Sequence, residues 1–379
     1  MSPAPLRVFI PCSGLGRVAR GFETFTREVS DALRGDARLD IRVFAGAATT
    51  EPSDTVLPSL ARSSRTAEGL GRLLRRSPYF VEQGSFFASL LPYLITGRPD
   101  LVYFADLNVG NACWHWRRIS GQRYRLLYYN GGATTRPFTR ADIVQHLATV
   151  YRDEALARGE PEARNVVLPH GVAIPSALYA PPRGALRAAL GLPGDRPVVL
   201  AVGLLDMQTK HLPYLLRELA ALPAPRPLLV LLGAATAETP AVLTLATELL
   251  GADGFQWHNV PHPEMPRWYA AADVFVMASL REGFGLAYVE ALAAGLPVLA
   301  HDFAVSRELL GDDGCFGDFR TTGALSTLLT GVLARVLAGG ADDFMRRARH
   351  RRAFDRFSWE RLRGAYADLL LQAATAPTR

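Results

Sequence analysis

Residues 282–302 read EGFGLAYVEALAAGLPVLAHD: a glycine-rich start, an apolar run closed by Gly295 and Pro297, and a short strand-like segment. Glycine after the last periodic residue, with proline close behind, ends a helix, so the spacing predicts a helix beginning at the glycines and a strand over 297–300. Glu282 then stands just before a helix N-terminus, where backbone N–H groups lack partners and carry partial positive charge. Gly283 and Gly285 present no side chains, so a phosphate can approach those amides closely. Glu290 falls about one to two turns into the same helix, where a carboxylate can accept hydrogen bonds from a diol such as a ribose. A surface helix with a capping glutamate would show the same letters, so the stretch needs the rest of the chain to give it meaning.

Strand–turn–helix units recur on both sides of it. Residues 6–10 form an apolar strand pattern, followed by the glycine-rich CSGLGRVARG and an amphipathic GFETFTREVSDALR. Further strand patterns lie at 40–44, 100–104, 125–129 and 165–168. After the proline-rich IPSALYAPPRG (174–184) the alternation restarts at 197–203, 227–233, 255–259 and 273–277. Such alternation predicts parallel sheets with helices on both faces, an α/β fold. At 379 residues the chain exceeds one ordinary core. Two Rossmann-like domains are therefore expected, over 1–175 and 176–359, with ligand in a cleft at the carboxyl ends of their strands.

An apolar fraction of 49% and a charged fraction of 21% are those of a soluble globular protein, and no run reaches the ~18 apolar residues a spanning helix needs. The N-terminus lacks the apolar core of a signal peptide, so a cytoplasmic location is expected. Cys12, Cys113 and Cys315 are odd in number and widely spaced, which argues against a disulfide framework or a zinc site. The net charge of +6 comes almost wholly from arginine, and Lys210 is the sole lysine. This bias in composition gives no reason to expect a nucleic-acid partner. The stretch RSSRTAEGLGRLLRR (62–76) reads first as a solvated helix face, with contact to an acidic acceptor or a membrane surface left open.

Two loops contain groups suited to an anion. In VVLAVGLLDMQTKHLPYLLREL (198–219), Gly203 turns out of a strand and Lys210 sits just ahead of a helix. A loop lysine is ordinarily a solvated one, but retention of this single ammonium among so many arginines suggests a compact point charge is needed there. In GLGRVARGFE (14–23), Gly14, Gly16 and Gly21 accompany Arg17, Arg20 and Glu23 without matching GxGxxG, and a simple turn accounts for them about as well. His115, in NACWHWRR, reads as packed in a helix, and His170, in LPHGV, as a strand-end residue facing substrate or as an ordinary turn histidine. No HExxH, GxSxG or Walker sequence occurs.

Taken in order, these features resemble the retaining glycosyltransferases of family GT4, which have the GT-B fold. The resemblance spans nearly the whole chain and is most specific over WYAAADVFVMASLREGFGLAYVEALAAGLPVLAHD, with VGLLDMQTK, LPHGV and the final FSW helix in support. It implies that Glu282 lies near the donor sugar, Glu290 holds the nucleotide ribose, and Lys210 neutralises the departing diphosphate. It also implies that Gly203 and the amides of Phe284, Gly285 and Leu286 cradle sugar and phosphate, and that the helix within 360–379 returns to the first domain.

Two positions depart from the family. Leu204 stands where an arginine is common, so a phosphate contact is expected from Arg17 or from Arg20, beside Gly16. Asn130 stands where a histidine is common, and is expected to donate a hydrogen bond to a sugar hydroxyl rather than move a proton. The resemblance thus implies a metal-independent, front-face transfer from a nucleoside-diphosphate sugar, UDP-sugar favoured, to a small-molecule or glycolipid acceptor, with no bound cofactor. A nucleotide-sugar epimerase and a noncatalytic sugar-nucleotide-binding protein are the rival readings.

Overall fold

A computed structural model describes residues 4–18, 21–131, 140–338 and 342–378. The chain divides into two compact units, one of residues 1–171 with 359–379 and one of residues 172–358. The first is built on β1 (Leu6–Cys12), β2 (Leu39–Ala45), β3 (Thr55–Val56), β4 (Leu101–Phe104), β5 (Arg125–Asn130), β6 (Ile143–His146) and β7 (Asn165–Val167). The helices between them are α1 (Gly21–Leu33), α2 (Arg65–Leu74), α3 (Pro78–Gly97), α4 (Leu107–Ser120) and α5 (Thr149–Ala157). Its sheet is parallel, in the order β3-β2-β1-β4-β5-β6-β7.

Successive residues of these strands face opposite sides, and both sides are covered. Phe9, Val102, Leu126 and Tyr128 pack against Phe86, Leu90 and Leu94 of α3 and Cys113 of α4. Tyr103 and Tyr129 meet Phe25 of α1 on the other side, Tyr129 stacking on it at 3.7 Å. Residues 143–146, IVQH, lack an apolar strand signature because their second half is buried and polar. Gln145 donates to Leu168 O at 2.9 Å and to Tyr366 Oη at 3.0 Å, and His146 bonds Asn165 Oδ1 at 2.8 Å.

The second unit opens with α6 (Arg183–Ala189) and alternates β8 (Val198–Val202), α7 (Leu212–Ala220), β9 (Leu228–Leu232), α8 (Thr239–Leu250), β10 (Phe255–His258), α9 (Met265–Ala271) and β11 (Val274–Met277). It continues through α10 (Leu286–Ala293), β12 (Val298–His301), α11 (Ala304–Leu310), β13 (Gly314–Gly317), α12 (Ala324–Leu337) and α13 (Asp342–Phe357). The parallel order is β10-β9-β8-β11-β12-β13. Val199, Leu229, Leu231, Val274 and Val276 share a core with α7, α8 and α12, while Leu200, Val230 and Phe275 are buried on the opposite face. Strand β13, GCFG, was not expected from the sequence, having two glycines and one aromatic in four residues.

The last helix, α14 (Trp359–Thr375), belongs to the first unit. Trp359 Nε1 donates to Glu28 at 3.0 Å, and Tyr366 Oη donates to Pro169 O at 2.8 Å. Phe25 packs against both rings, so the helix closes an aromatic core rather than lying on a surface.

Candidate active site

In each sheet the strand order reverses once, between β1 and β4 in the first unit and between β8 and β11 in the second. Crossovers leave in opposite directions there, so the loops at the carboxyl ends diverge and open a crevice. In the second unit those loops are 203–211 and 278–285, and they bring Lys210 and Glu282 together. Lys210 Nζ lies 2.6 Å from Glu282 Oε1, with the two side chains 19% and 14% exposed.

Local chemistry explains why the lysine reaches across. Gly203 sits at φ 154, and a Cβ there would come within 2.6 Å of Lys210 Cε, so the glycine makes room for the lysine stem. Asp206 Oδ1 accepts the amides of Gln208, Thr209 and Lys210 at 3.1, 2.6 and 3.3 Å and winds the loop into a tight turn. Leu204, at the arginine position of the resemblance, is 50% exposed.

Helix α10 starts at the glycines, as the spacing predicts. Gly285 is its N-cap at φ 85, and no side chain caps the first turn. A Cβ on Gly285 would strike the Tyr288 ring at 2.5 Å, so glycine is required twice over, by backbone and by space. Phe284 is buried edge-on against Phe357, which fixes the approach to the helix. Tyr288 Oη and Ser279 Oγ are buried with no partner among the described residues. Burial and the Glu282 charge push the Tyr288 phenol well above its usual range, so it stays a neutral hydroxyl.

Glu290 lies further along α10, where Tyr269 Oη donates to its Oε2 at 2.7 Å and His262 Nε2 approaches Oε1 at 3.3 Å. Burial and the Glu290 charge raise the Tyr269 pKa well above the ordinary value, so Tyr269 remains a donor. Beside this carboxylate is a largely apolar pocket of about 400 Å³, walled by Ile174, Tyr179, Met265, Ala293 and His350. His262 and Tyr269 were not singled out in the sequence. The only hint was their place in NVPHPEMPRWYAAAD, just ahead of the strand leading to Glu282.

The other expected residues lie in the first unit. Asn130 ends β5, is 1% exposed, and has its amide orientation set by a chain of hydrogen bonds. Asn165 Nδ2 donates to Pro161 O at 2.8 Å, which turns Asn165 Oδ1 to His146 Nε2 at 2.8 Å. His146 therefore carries its proton on Nε2 and accepts from Asn130 Nδ2 at 3.2 Å through Nδ1. Asn130 Oδ1 has no partner among the described residues. Nδ2 keeps a second N–H beyond the one given to His146, so Asn130 can both donate and accept.

Gly16, at φ 82, turns against the carbonyls of Ala47 and Ala48, and a Cβ would meet them at 2.5 and 2.7 Å, so a turn accounts for this glycine. Arg17, one candidate for the missing phosphate contact, donates to Ser59 O at 2.7 Å and lies 3.8 Å from Glu82. It is engaged within its own unit. Arg20 lies outside the described residues.

The reading of His115 needs correction, and of the two readings of His170 the substrate-facing one does not hold. His115 is on an exposed face of α4, edge-on to Trp114, rather than packed within the helix. His170 is 1% exposed, with Nδ1 2.7 Å from Tyr129 Oη, enclosed by Phe25 and Trp359 and facing no solvent.

At the reversal between β1 and β4, Ser13 N and Oγ donate to Asp106 Oδ2 at 2.9 and 2.7 Å, and Tyr79 Oη donates to Oδ1 at 2.5 Å. Glu82, 1% exposed at its side chain, is held by Arg62 at 2.6 Å.

Residues 196–334 match the family model described as Glycosyl transferases group 1. Among curated proteins, a D-inositol 3-phosphate glycosyltransferase of Xylanimonas cellulosilytica is 34% identical over 225 residues, which are 55% of this chain and 51% of that protein. The chain spans about half the length of the curated relatives it matches first. Among solved structures, sucrose-phosphate synthase from Thermosynechococcus elongatus superposes with a TM-score of 0.79 at 20% identity, covering 97% of this chain and 98% of that one. HepE of Anabaena, in complex with UDP and glucose, superposes with a TM-score of 0.74 at 18% identity, covering 97% and 99%.

Proposed function

We propose that this chain, a GT-B protein whose second unit carries a glycosyl transferases group 1 domain, is a retaining, metal-independent glycosyltransferase. It takes a sugar from a nucleoside-diphosphate sugar and passes it to an acceptor hydroxyl. The observation that carries the reading is the Lys210–Glu282 pair, 2.6 Å apart, where the loops after β8 and β11 meet beside the uncapped start of α10.

In this reading the diphosphate lies against Lys210 Nζ and the amides at Gly285 and Leu286, where fixed positive charge stabilises negative charge growing on the leaving group. Glu282 accepts from hydroxyls of the transferred sugar. Glu290, steadied by Tyr269, accepts from the ribose, and the apolar pocket beside it suits a base better than a phosphate. The bond from the anomeric carbon to the phosphate oxygen breaks, and the acceptor oxygen bonds that carbon on the same face. The acceptor proton passes to the departing phosphate. Asn130 Oδ1 accepts from a sugar hydroxyl. The UDP named in the HepE complex supports UDP-sugar as the first donor to test.

A surface of the first unit bears on the acceptor. Leu70, Leu73 and Leu74 of α2 are exposed, Leu73 by 78%, and lie beside exposed Arg72, Arg75 and Arg76. That combination of apolar and basic groups favours a glycolipid acceptor met at an anionic membrane surface over a freely dissolved one.

The sole lysine supplies the test. An amine-selective reagent can modify only Lys210 and the N-terminal amine. Saturating UDP-sugar should protect Lys210, and modification should abolish transfer. Undiminished labelling with every sugar nucleotide of a panel, together with normal turnover by Lys210→Ala, would remove Lys210 from the mechanism.

A further inference from the structure

Strands β5 and β6 end side by side at the carboxyl edge of the first sheet, and their last residues, Asn130 and His146, are partners in the pairing register. That edge is where open α/β sheets take ligands. Both side chains are buried, Asn130 at 1% exposure and His146 at 0%. An imidazole enclosed in a strand is costly unless its nitrogens are bonded, and an apolar residue would serve a core as well. Gln145, its neighbour, is accounted for by the core, since it bonds Leu168 O and Tyr366 Oη. His146 instead bonds one asparagine on each adjoining strand, Asn165 of β7 and Asn130 of β5.

This chain of bonds has a fixed sense because it starts at a group that can only accept. Pro161 O takes the Asn165 amide N–H at 2.8 Å, which turns Asn165 Oδ1 to the ring, and Nε2 must then donate to it at 2.8 Å. A neutral imidazole has one N–H, so Nδ1 is a lone pair, and only Nδ2 of Asn130 suits it, at 3.2 Å. Oδ1 of the same amide is left buried without a partner among the described residues. Reversing the amide would set Oδ1 against the Nδ1 lone pair. A proton added to the ring would invert that preference, because both nitrogens would then donate and Oδ1 would be drawn to Nδ1.

We propose that His146 is a positioning residue, whose Nδ1 lone pair holds the Asn130 amide so that Oδ1 stays free to accept from a sugar hydroxyl. The hold on Asn130 stands on the hydrogen bonds alone, and its part in turnover rests on the glycosyltransferase reading. Neutral His146 is the working form. Burial favours that form, the bond to Asn165 opposes it, and the charge of Arg152 on α5 favours it again. Protonated His146 would reverse the amide and put an N–H where the acceptor had been.

Two-bond proton–nitrogen spectra of protein labelled with nitrogen-15 histidine, with His146 assigned by its loss in His146→Gln, read the ring directly. At neutral pH it should be the Nε2–H tautomer, and the Nδ1–H tautomer would overturn the proposal. The Asn130 side-chain amide, assigned with Asn130→Ala, should shift on acidification with the same midpoint as the ring. An amide that ignores the ring's titration would overturn the hold. In transfer assays kcat should fall about fivefold or more below that midpoint with donor KM little changed, as misplacement of a group that acts in the transition state predicts. Arg152→Gln should carry the ring's midpoint and the kcat midpoint upward together, and His146→Gln should lack the kcat limb. A kcat limb that stays in place while the ring's midpoint moves would remove His146 from turnover. If no sugar nucleotide supports transfer by the wild-type chain, the function fails, and the tautomer and the amide shift still decide what holds Asn130.

Discussion

The two points of strand reversal are built alike and finished differently. Each brings a carboxylate and a cation together, in the first unit between α3 and the segment after β3, in the second between the loops after β8 and β11. In the first unit the groups close on one another: Glu82 is gripped by Arg62, and Asp106 receives Ser13 twice and Tyr79 once. In the second, Lys210 and Glu282 form an ion pair, Tyr288 Oη and Ser279 Oγ stay without partners among the described residues, and α10 begins uncapped. A buried network that is fully satisfied stabilises a fold, whereas unsatisfied polar groups beside fixed charge are costly unless a ligand completes them. The first reversal also leaves Arg17 Nη1 without a hydrogen bond among the described residues, so what sets the second apart is an ion pair beside an uncapped helix start, the feature on which the proposed function rests.

Mutations can break or sharpen that contrast. Lys210→Ala should lower kcat by about 10²–10³-fold while donor affinity changes only a few-fold, since the ammonium meets charge that grows as the bond breaks. Steady-state kinetics with direct donor titration would measure both. Lys210→Arg should not restore the rate, because the planar fork cannot take the place of a point charge.

Glu82→Ala should act on stability instead. It strands Arg62 in a shielded place and should cost about 3 kcal/mol of unfolding free energy, read from denaturant midpoints, with donor affinity unchanged. A kinetic defect with full stability would move the catalytic assignment to the first unit.

Glu290→Ala should raise donor KM about tenfold at nearly constant kcat, the loss of roughly one charged hydrogen bond made equally in ground and transition states. A change in kcat alone would place Glu290 at the reacting carbon rather than at the ribose.

The smallest effect concerns pH. Burial lowers the pKa of His146 below its ordinary value, so the unfolded chain binds a proton that the folded chain resists. The stability contributed by this neutral imidazole is full above about pH 6.5 and is lost as pH falls through the lowered value. His146→Gln should flatten that acid limb. An unchanged limb would mean that other groups govern it.

Much of the fold was legible because helices and buried parallel strands have distinct periods, and glycine and proline mark their ends. The strands at 6–10, 125–129 and 273–277 announced themselves as apolar runs. Strand β6 did not, because Gln145 and His146 are polar and become strand residues only when Leu168, Tyr366 and Asn165 satisfy them. The start of α10 was legible in Gly285, whose left-handed backbone excludes other residues at small cost. The Tyr269 bond to Glu290 was not, since a buried tyrosine in an alanine-rich helix reads as core.

By itself, the sequence determined the alternation of elements, the placing of Glu282 just before one helix and of Glu290 within it, and the singularity of Lys210, because each is a matter of local spacing or composition. Only the tertiary structure decided that Arg17 is engaged by Ser59 and Glu82, that Asn130 leaves its Oδ1 without a partner among the described residues, and that Tyr269 donates to Glu290. Those outcomes depend on which groups arrive from distant parts of the chain. A side chain's free lone pair is what remains after those partners are taken, and no local pattern carries that information.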